Sequence, residues 1–361
     1  MRFTGAHLVK SAPRAWVVAG VLASSLLALA PRLSAEVAPE PVVDLHVDLP
    51  YRSGYKGKPF ADGSGEFRAR DLVAAGVYGV VLPLFVPKDA TPTGRTQGEF
   101  EASYQRVFRG IVETPPYAAP GCGVGRVAGE ARAVTTWLSF EGAEPLEATR
   151  ESLWPWTLRG ARLFALVHSE HNRFAESSGQ PSTGKGLTDL GRRFAEAVLD
   201  VGGVLDVSHA SDESTDQLIE LARARGRAIV ASHSNARALA AHPRNLTDGQ
   251  IRAIARSGGV VGVNFHSNFL RPGGATAELG DVVKQIQHLV RVGGLGVVAV
   301  GSDFEGGIRP AQGLENASRY RALARALGKA GYGRADRERM LAGNALRVLC
   351  GPANSGTSGT P

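Results

Sequence analysis

Eight short apolar runs, each followed by a segment of helical period, constrain the fold of this chain more than any other sequence feature. Strand-like runs that alternate with helical segments are typical of a parallel sheet with crossover helices. The predicted strands are PVVDLH (41–46), VYGVVLPLFV (77–86), AVTTWLSF (133–140), ARLFALV (161–167), GGVLDVS (202–208), RAIVAS (227–232), GGVVGVNF (258–265) and LGVVAVGS (295–302).

The segments between these runs carry helix boundary signals. TDLGRRFAEAVLDV, SDESTDQLIELARARG and LTDGQIRAIARSGG each have a Ser, Thr or Asp suited to an N-cap at or near the start, and the last two end at or near a glycine. Eight strand–helix units in 361 residues predict an α/β fold, a (β/α)8 TIM-like barrel of the metal-dependent hydrolase type. A doubly wound open sheet is the competing architecture, but no glycine-rich phosphate loop follows the first strand.

The two ends of the chain differ from its middle in composition. Residues 1–35 place basic residues and no acid around the apolar run AWVVAGVLASSLLALA, which predicts a signal peptide cleaved near Ala35 and export to the periplasm or the medium. An uncleaved anchor is the alternative. We expect the barrel domain to span 36–350 and 351–361 to be a disordered tail. The Gly- and Pro-containing stretches 51–66 and 87–100 are predicted to be long loops at the strand ends.

Charge and cysteine content exclude several protein classes. The formal charge of +7 falls to +3 without the four basic residues of the predicted leader, which is too mild for a nucleic-acid partner or, beyond the leader, a membrane partner. The two cysteines, Cys122 and Cys350, are far apart and do not form a metal-type CxxC pair. The sequence leaves open whether they pair with each other.

Residues of metal-binding and acid–base types follow six of the eight predicted strands. Barrel enzymes carry their active site at the carboxyl ends of the strands, so these side chains are expected at one mouth. Imidazole and carboxylate donors suit zinc, which lowers the pKa of a bound water towards about 7. The candidates, in chain order, are His46 and Asp48, Glu141, His168, His209, His233 and Asp303.

The spacing of His46 and Asp48 favours a shared ion, because residues i and i+2 of a strand point to the same face. Asp44 points the same way one layer deeper, where we expect a packing or supporting role rather than ligation. Each candidate also has a simpler interpretation: His209 or His233 bonded to a backbone carbonyl, for example. The gathering of all of them at one end of the barrel is what the simpler interpretations leave unexplained.

The remaining polar residues are interpreted as follows. Arg244, in the loop after the sixth strand, is either a solvated loop residue or a clamp for a substrate carboxylate. His288 lies in a helical pattern and is expected at the surface or in packing, while His171 and His242 are loop residues with no partner visible in the sequence. Serine or cysteine catalysis is disfavoured because the chain has no GxSxG motif and neither cysteine ends a strand.

An ordered series of motifs resembles the membrane (renal) dipeptidase family of zinc metallopeptidases: VDLHVDLP, SFEGAEPL, FALVHSEHN, GLTDLGRRF, LDVSHASDES, ASHSNARALAAHPRNLTDGQIRAIARSGGVVGVNF and GSDFEGG. The resemblance implies a barrel that holds two Zn²⁺ ions and hydrolyses dipeptides. One zinc would be ligated by His46 and Asp48 and the other by His209 and His233, with Glu141 shared between them.

The resemblance also implies catalytic roles. A hydroxide bridging the metals would attack the amide carbonyl, and Asp303 would act as general base and then general acid. His168 would stabilise the oxyanion, and Arg244 would bind the carboxylate of the dipeptide. His266 stands where family members often carry a tyrosine that helps to hold this carboxylate, and the segment VVLPLF also departs from the family pattern.

These departures affect residues expected to bind the substrate rather than those expected to bind the metals. They therefore leave alternatives to a dipeptide substrate. The same metal site acting on N-acyl amino acids, cyclic amides or β-lactam-like rings is the second hypothesis. A non-catalytic binding protein on the same scaffold is the third, and the complete set of proposed ligands and acid–base residues argues against it. The family resemblance also allows a homodimer, for which the sequence shows no interface signal of its own.

Overall fold

A computed structural model of the protein describes residues 38–60, 63–88, 96–119, 121–122 and 133–351. The predicted signal peptide and all but the first residue of the predicted tail lie outside the described residues, and those two predictions remain as stated. The described residues include no helix long and apolar enough to cross a membrane.

Eight parallel strands close into a barrel, which confirms the predicted fold. The sheet runs in the order β2-β1-β9-β8-β7-β6-β5-β4, and a further pairing of β2 with β4 closes the ring. The barrel strands are β1 (Val42–Asp44), β2 (Val77–Leu84), β4 (Val134–Glu141), β5 (Ala161–Ala165), β6 (Val204–Asp206), β7 (Val230–Ala231), β8 (Val260–Val263) and β9 (Val298–Val300).

Seven of the eight barrel strands are shorter than their apolar runs, and β4 has the same length as its run. β7 keeps two residues of the predicted 227–232, and a 3₁₀ turn (Leu295–Val297) replaces the start of the predicted last strand. The sequence also gave no indication of β3 (Tyr117–Ala118), a two-residue strand that pairs with the start of β4. An apolar run marks where the chain is buried, whereas a strand ends where its ladder hydrogen bonds stop.

Helices follow the barrel strands and cover them. They are α1 (Leu49–Tyr55), α2 (Ala69–Ala75), α3 (Gln97–Glu113), α4 (Arg150–Leu158), α5 (Asp189–Asp200), α6 (Asp212–Ala224), α7 (Asp248–Arg256), α8 (Ser267–Leu270), α9 (Leu279–Gly293), α10 (Tyr320–Lys329), α11 (Arg334–Glu338) and α12 (Asn344–Cys350), with a π-helical turn at Arg339–Gly343.

Capping chemistry sets several of these boundaries. Thr188, Ser211 and Thr247 each cap a helix by accepting a backbone N–H with the side-chain oxygen, as the sequence signals predicted. Both loop predictions are wrong at one end: α1 covers the first five residues of 51–66, and α3 begins at Gln97, within 87–100. There the Thr96 side chain accepts the N–H of Glu99 at 3.3 Å, a cap that a Gly- and Thr-rich composition concealed.

The barrel interior is a closed apolar layer. Every barrel strand contributes to it, and the π-helical turn and α12 pack against it from below; the members are Val43, Leu45, Val81, Trp137, Leu163, Val204, Val230, Val260, Ala299, Ala342, Ala345, Val348 and Leu349. A second apolar layer lies between the barrel and the surrounding helices. This packing closes the amino-terminal end of the barrel interior.

A disulfide joins Cys122, beyond β3, to Cys350 at the end of α12. Their sequence separation is 228 residues, so the bond ties the last helix, which closes the bottom of the barrel, to the middle of the chain. The question that the sequence left open is therefore answered: the two cysteines pair with each other.

We predict that Cys350→Ser lowers the free energy of unfolding by about 2–5 kcal/mol, because the cross-link restricts the unfolded chain. Urea unfolding followed by circular dichroism measures the difference. Adding a reductant to the parent protein should reproduce the loss, and adding it to the variant should change nothing. An undiminished stability of Cys350→Ser would contradict the prediction.

Candidate metal centre and active site

The structure brings all nine residues singled out in the sequence to one end of the barrel. Seven of them line a cavity of about 360 Å³ at the carboxyl ends of the strands: Asp48, Glu141, His168, His209, Arg244, His266 and Asp303. His46 and His233 lie beneath this cavity, 2% and 1% exposed, in contact with Glu141. The barrel architecture therefore delivers the side chains to one place from seven strand ends.

One carboxylate oxygen, Glu141 Oε1, lies at the centre of four imidazoles. It is 3.0 Å from His209 Nε2, 3.5 Å from both His46 Nε2 and His233 Nε2, and 4.0 Å from His168 Nε2. The donors form three overlapping groups whose ligand atoms lie within 4.8 Å of one another: His46 with Glu141 and His233, Glu141 with His168 and His209, and His46 with Asp48 and Asp303.

His46 shows that this donor set fits a metal. Its ring is buried, and within the described residues neither ring nitrogen has a hydrogen-bond partner of good geometry. Burying an imidazole without hydrogen bonds is costly in a folded protein, and imidazole nitrogens and carboxylates are ligands that together bind a metal ion. His46 Nε2 also lies 3.4 Å from Asp48 Oδ2, close enough for both to bind one ion.

His209 and His233 approach each other closely on the other side of Glu141. Their Nε2 atoms are 3.0 Å apart, and burial, the largest cause, holds the pKa of both rings well below the ordinary value, so both are neutral. Neutral imidazole is the form that binds metal. The Nδ1 atom of His233 lies 2.8 Å from the Ser232 hydroxyl, which orients the ring from behind.

Two buried aspartates, Asp44 and Asp206, hold the chain just below these histidines. Asp44 Oδ1 accepts the N–H groups of His46 at 3.1 Å and Ser302 at 2.9 Å, and its other oxygen accepts the Tyr320 hydroxyl. Asp206 Oδ1 accepts the N–H groups of Ser208 and Ser232, both at 3.0 Å. The supporting role predicted for Asp44 is confirmed, whereas the sequence analysis did not single out Asp206.

Asp303 occupies an unusual position after β9. Its backbone has φ = 66°, the left-handed region that non-glycine residues rarely adopt. Burial, followed by the nearby Asp48 carboxylate, raises the pKa of Asp303 to about 7. Gly306, three residues later, must be glycine, because a Cβ there would lie 2.6 Å from Asp48 Oδ2 and 2.9 Å from Asp303 Oδ1.

The long segment between β5 and α5 fixes His168 and His209, which follow the neighbouring strands β5 and β6. Ser178 donates to the carbonyl of His209 through both its N–H, at 2.8 Å, and its hydroxyl, at 3.1 Å. The Ser177 hydroxyl donates to the carbonyl of His168. His209 itself has φ = 72°, so these bonds hold a backbone conformation that an isolated chain would avoid.

A cationic side chain and an imidazole stand opposite the carboxylates in the cavity. Arg244 is buried, its guanidinium lies 5.5 Å from the Phe269 ring, and within the described residues its Nε has no hydrogen-bond partner. The Nδ1 atom of His266 accepts the N–H of Arg309 at 3.1 Å, so the proton of the neutral ring is on Nε2. Both groups are therefore hydrogen-bond donors.

Comparison with known proteins identifies the family. A model of the membrane dipeptidase family (peptidase family M19) matches residues 32–354. The chain belongs to this family. An uncharacterized protein in the pqqA 5′ region of Klebsiella pneumoniae is 36% identical over 218 residues, which are 58% of this chain and 79% of that protein.

Two solved structures share the fold of this family member. A metallopeptidase of family M19, dipeptidase AC, has a TM-score of 0.75 and 27% identity over 86% of this chain and 97% of its own. The second is a metallopeptidase from Rhodobacter sphaeroides, liganded with a phosphinate mimic of the dipeptide L-Ala-D-Ala. It has a TM-score of 0.76 and 26% identity, and the match covers 86% of this chain and 99% of that protein. The resemblance seen in the sequence is confirmed, and the chain is a hydrolase of the metallo-dipeptidase type.

The other histidines of this family member make structural bonds. His288 is buried with Nε2 2.7 Å from Asp248 Oδ1, which agrees with the packing role predicted for it. His171 and His242 have partners that the sequence did not reveal: His171 Nδ1 accepts the N–H of Ser177 at 2.9 Å, and His242 Nδ1 accepts the N–H of Arg244 at 3.1 Å.

Several cavity residues escaped the sequence analysis. Tyr51, Lys88 and Phe269 line the cavity, and their aromatic or long side chains carry no sequence pattern that marks them. Phe85 also lines the cavity and belongs to the segment VVLPLF, which was noted only as a departure from the family pattern. Asn264, which follows β8 and contacts Asp303, was missed because the predicted strand ran on to Phe265; the available signal was its place as the polar residue after the apolar run VVGV.

We predict that Tyr320→Phe lowers the free energy of unfolding by about 1–3 kcal/mol, because it leaves a buried Asp44 oxygen without its donor. Urea denaturation of zinc-loaded protein measures the loss. Tyr117→Phe is the matched control: the Tyr117 hydroxyl is also buried but has no hydrogen-bond partner among the described residues, so its removal should cost much less. Equal losses in the two variants would contradict the role given to Asp44.

Proposed function

We propose that the protein is a binuclear zinc dipeptidase that hydrolyses the peptide bond of dipeptides. The observation that carries the proposal is the placement of Glu141 Oε1 among four imidazoles in a cavity that also contains Arg244. A metal-binding carboxylate and a carboxylate-binding cation in one small cavity suit a substrate whose scissile amide lies one residue from a free carboxylate.

The ligand set divides around Glu141. His46 and Asp48 would hold one ion and His209 and His233 the other, with Glu141 between them. When bound, such ions supply a Lewis acid for the carbonyl oxygen and a water of lowered pKa at neutral pH. Ligand spacing supports this division on the Asp48 side, where His46 Nε2 is 3.4 Å from Asp48 Oδ2, and on the other side, where the two Nε2 atoms are 3.0 Å apart.

Arg244 would bind the carboxylate of the substrate. Its guanidinium is buried, stacks on Phe269 and keeps N–H donors for a ligand, which is the arrangement that favours bidentate binding of a carboxylate. His266 would add a second donor through Nε2. It thereby replaces the hydroxyl that a tyrosine would provide at this position.

Two residues would serve the reacting amide. Asp303 would accept a proton from the attacking water and pass it to the leaving amine, since its carboxyl lies beside Asp48 and lines the cavity. His168 stands at the edge of the donor cluster, 4.0 Å from Glu141 Oε1, and would donate to the carbonyl oxygen as negative charge develops there.

Cavity size and the Rhodobacter sphaeroides structure support a dipeptide substrate. The volume of about 360 Å³ is at the lower end for a ligand cavity, so it suits two residues better than a longer peptide. The Rhodobacter protein was solved with a mimic of L-Ala-D-Ala, and we propose that this chain likewise accepts a D residue at the carboxyl-terminal position.

The test is hydrolysis of a dipeptide panel, with L-Ala-L-Ala and L-Ala-D-Ala among its members, by zinc-loaded protein with and without a chelator. We expect two zinc ions per chain by metal analysis, loss of activity on chelation and recovery on adding zinc. His233→Ala should reduce the zinc content to about one ion per chain. His288→Ala, which removes a buried histidine away from the cavity, should leave it unchanged.

A parallel panel of N-acyl amino acids and cyclic amides separates this proposal from the alternatives. Faster turnover of those amides than of any dipeptide would replace the proposed substrate class while keeping the metals. Inactivity of zinc-loaded protein on every short amide would instead indicate a binding protein on the same scaffold.

We predict that Arg244→Met raises KM for dipeptides by about 10- to 100-fold, because a charge-assisted hydrogen-bonded pair with the carboxylate is lost. Initial rates over a range of concentrations measure the change. A dipeptide amide, which lacks the carboxylate, is the control substrate. The variant and the parent should differ little on it, and an equal defect on both substrates would contradict the assignment.

We also propose that the protein works in an oxidising compartment outside the cytoplasm. Its disulfide supports this location, since such bonds persist in the periplasm and the extracellular medium and are rare in the cytosol. Fractionation of the native cells tests the proposal, and recovery of the protein in the cytosol with free thiols would contradict it.

A further inference from the structure

The strand end after β8 carries a buried amide that touches the proposed proton carrier. Asn264 is the first residue beyond Val263, and its side chain is fully buried. Its Nδ2 donates to Asp303 Oδ2 at 2.9 Å, while its Oδ1 accepts the N–H of His266 at 2.7 Å. One side chain therefore joins the residue that would move the proton to the segment that would bind the substrate carboxylate.

The orientation of this amide is fixed by its partners. A backbone N–H can only donate, so the side-chain oxygen must face His266 and the NH₂ group must face Asp303. The backbone of Asn264 is held as well, because Asn235 Oδ1 accepts its N–H at 3.2 Å and Asn235 Nδ2 donates to its carbonyl at 3.0 Å. The NH₂ group thus has little freedom to turn away.

This fixed donor engages only one oxygen of Asp303. Its N–H occupies a lone pair of Oδ2 and leaves Oδ1 for other partners. That oxygen is on the cavity side: a Cβ built on Gly306, which lines the cavity, would be 2.9 Å from it.

We propose that Asn264 is a positioning residue for hydrolysis: by binding Oδ2, it holds the Asp303 carboxyl with Oδ1 towards the cavity, where the attacking water and the leaving amine would lie. The inference rests on the proposed function, since it assigns the acid–base role to Asp303. It predicts a defect in turnover rather than in substrate binding, because the contact with His266 is a separate bond of the same side chain.

Asn264→Asp separates the two bonds. Aspartate has nearly the same shape and keeps an oxygen for the N–H of His266, but it places an oxygen where the NH₂ group faced Asp303. We expect kcat for L-Ala-L-Ala to fall by about 10- to 100-fold, with KM changed by less than about threefold. Zinc content should remain that of the parent, which metal analysis checks independently of activity.

Asn344→Asp is the matched control. Asn344 is also buried and donates through Nδ2, to the carbonyls of Leu295 at 2.8 Å and Val298 at 2.9 Å, but it lies at the opposite end of β9. It should lower the melting temperature and leave kcat near that of the parent. Asn264→Ala, which removes the donor without adding a charge, should reduce kcat in the same way and replaces Asn264→Asp if that variant does not fold.

Three outcomes would overturn the inference: an unchanged kcat in folded, zinc-loaded Asn264 variants, a rise in KM alone, or an equal fall of kcat in Asn344→Asp. The substrates that the parent protein cleaves show separately whether the proposed function has failed. If the parent cleaves N-acyl amino acids rather than dipeptides, the same kcat and KM comparison is made on that substrate.

Discussion

Buried carboxylates that accept backbone N–H groups hold the chain where the barrel strands end, and the site depends on them. Asp44 joins His46 to Ser302, and Asp206 joins Ser208 to Ser232, so each links the continuation of one strand to that of its neighbour. The ladder has stopped at these positions, and buried N–H groups need other acceptors. The carboxylates supply them directly beneath the histidines proposed to bind metal, which explains how strands as short as β7 can present these side chains in a fixed arrangement.

Above these carboxylates, at the mouth of the barrel, the backbone itself is constrained. His209 and Asp303 have φ values of 72° and 66°, and such conformations cost about 1–3 kcal/mol each when the residue is not glycine. Bonds from neighbouring segments maintain them: Ser178 binds the carbonyl of His209, and Asn264 binds the carboxylate of Asp303. The strain therefore lies at the groups proposed to bind metal and to move the proton, while the apolar core and the disulfide stabilise the opposite end of the barrel.

Much of this arrangement follows from the sequence because two regular patterns determine it. Alternation of apolar runs and helical segments predicts the barrel, and the barrel places the residue after each strand at one mouth. His46, Glu141 and Asp303 could therefore be grouped although they are distant in the chain. Strand bounds were less accurate, since the run 227–232 contains residues that are buried without being paired. The roles given to these residues came from the family resemblance, not from either pattern.

The parts that the sequence did not predict depend on individual atoms rather than on patterns. Periodicity indicates that Asp44 points inward, but not that its partner is Tyr320, 276 residues away. Asn264 was missed because the predicted strand extended over it to Phe265, and because an amide neither titrates nor readily binds zinc. Its importance follows only from which of its atoms faces which neighbour. A strand-end rule that also admits amides would include residues that orient a catalytic acid, and the structure is then needed to separate them from residues that only pack.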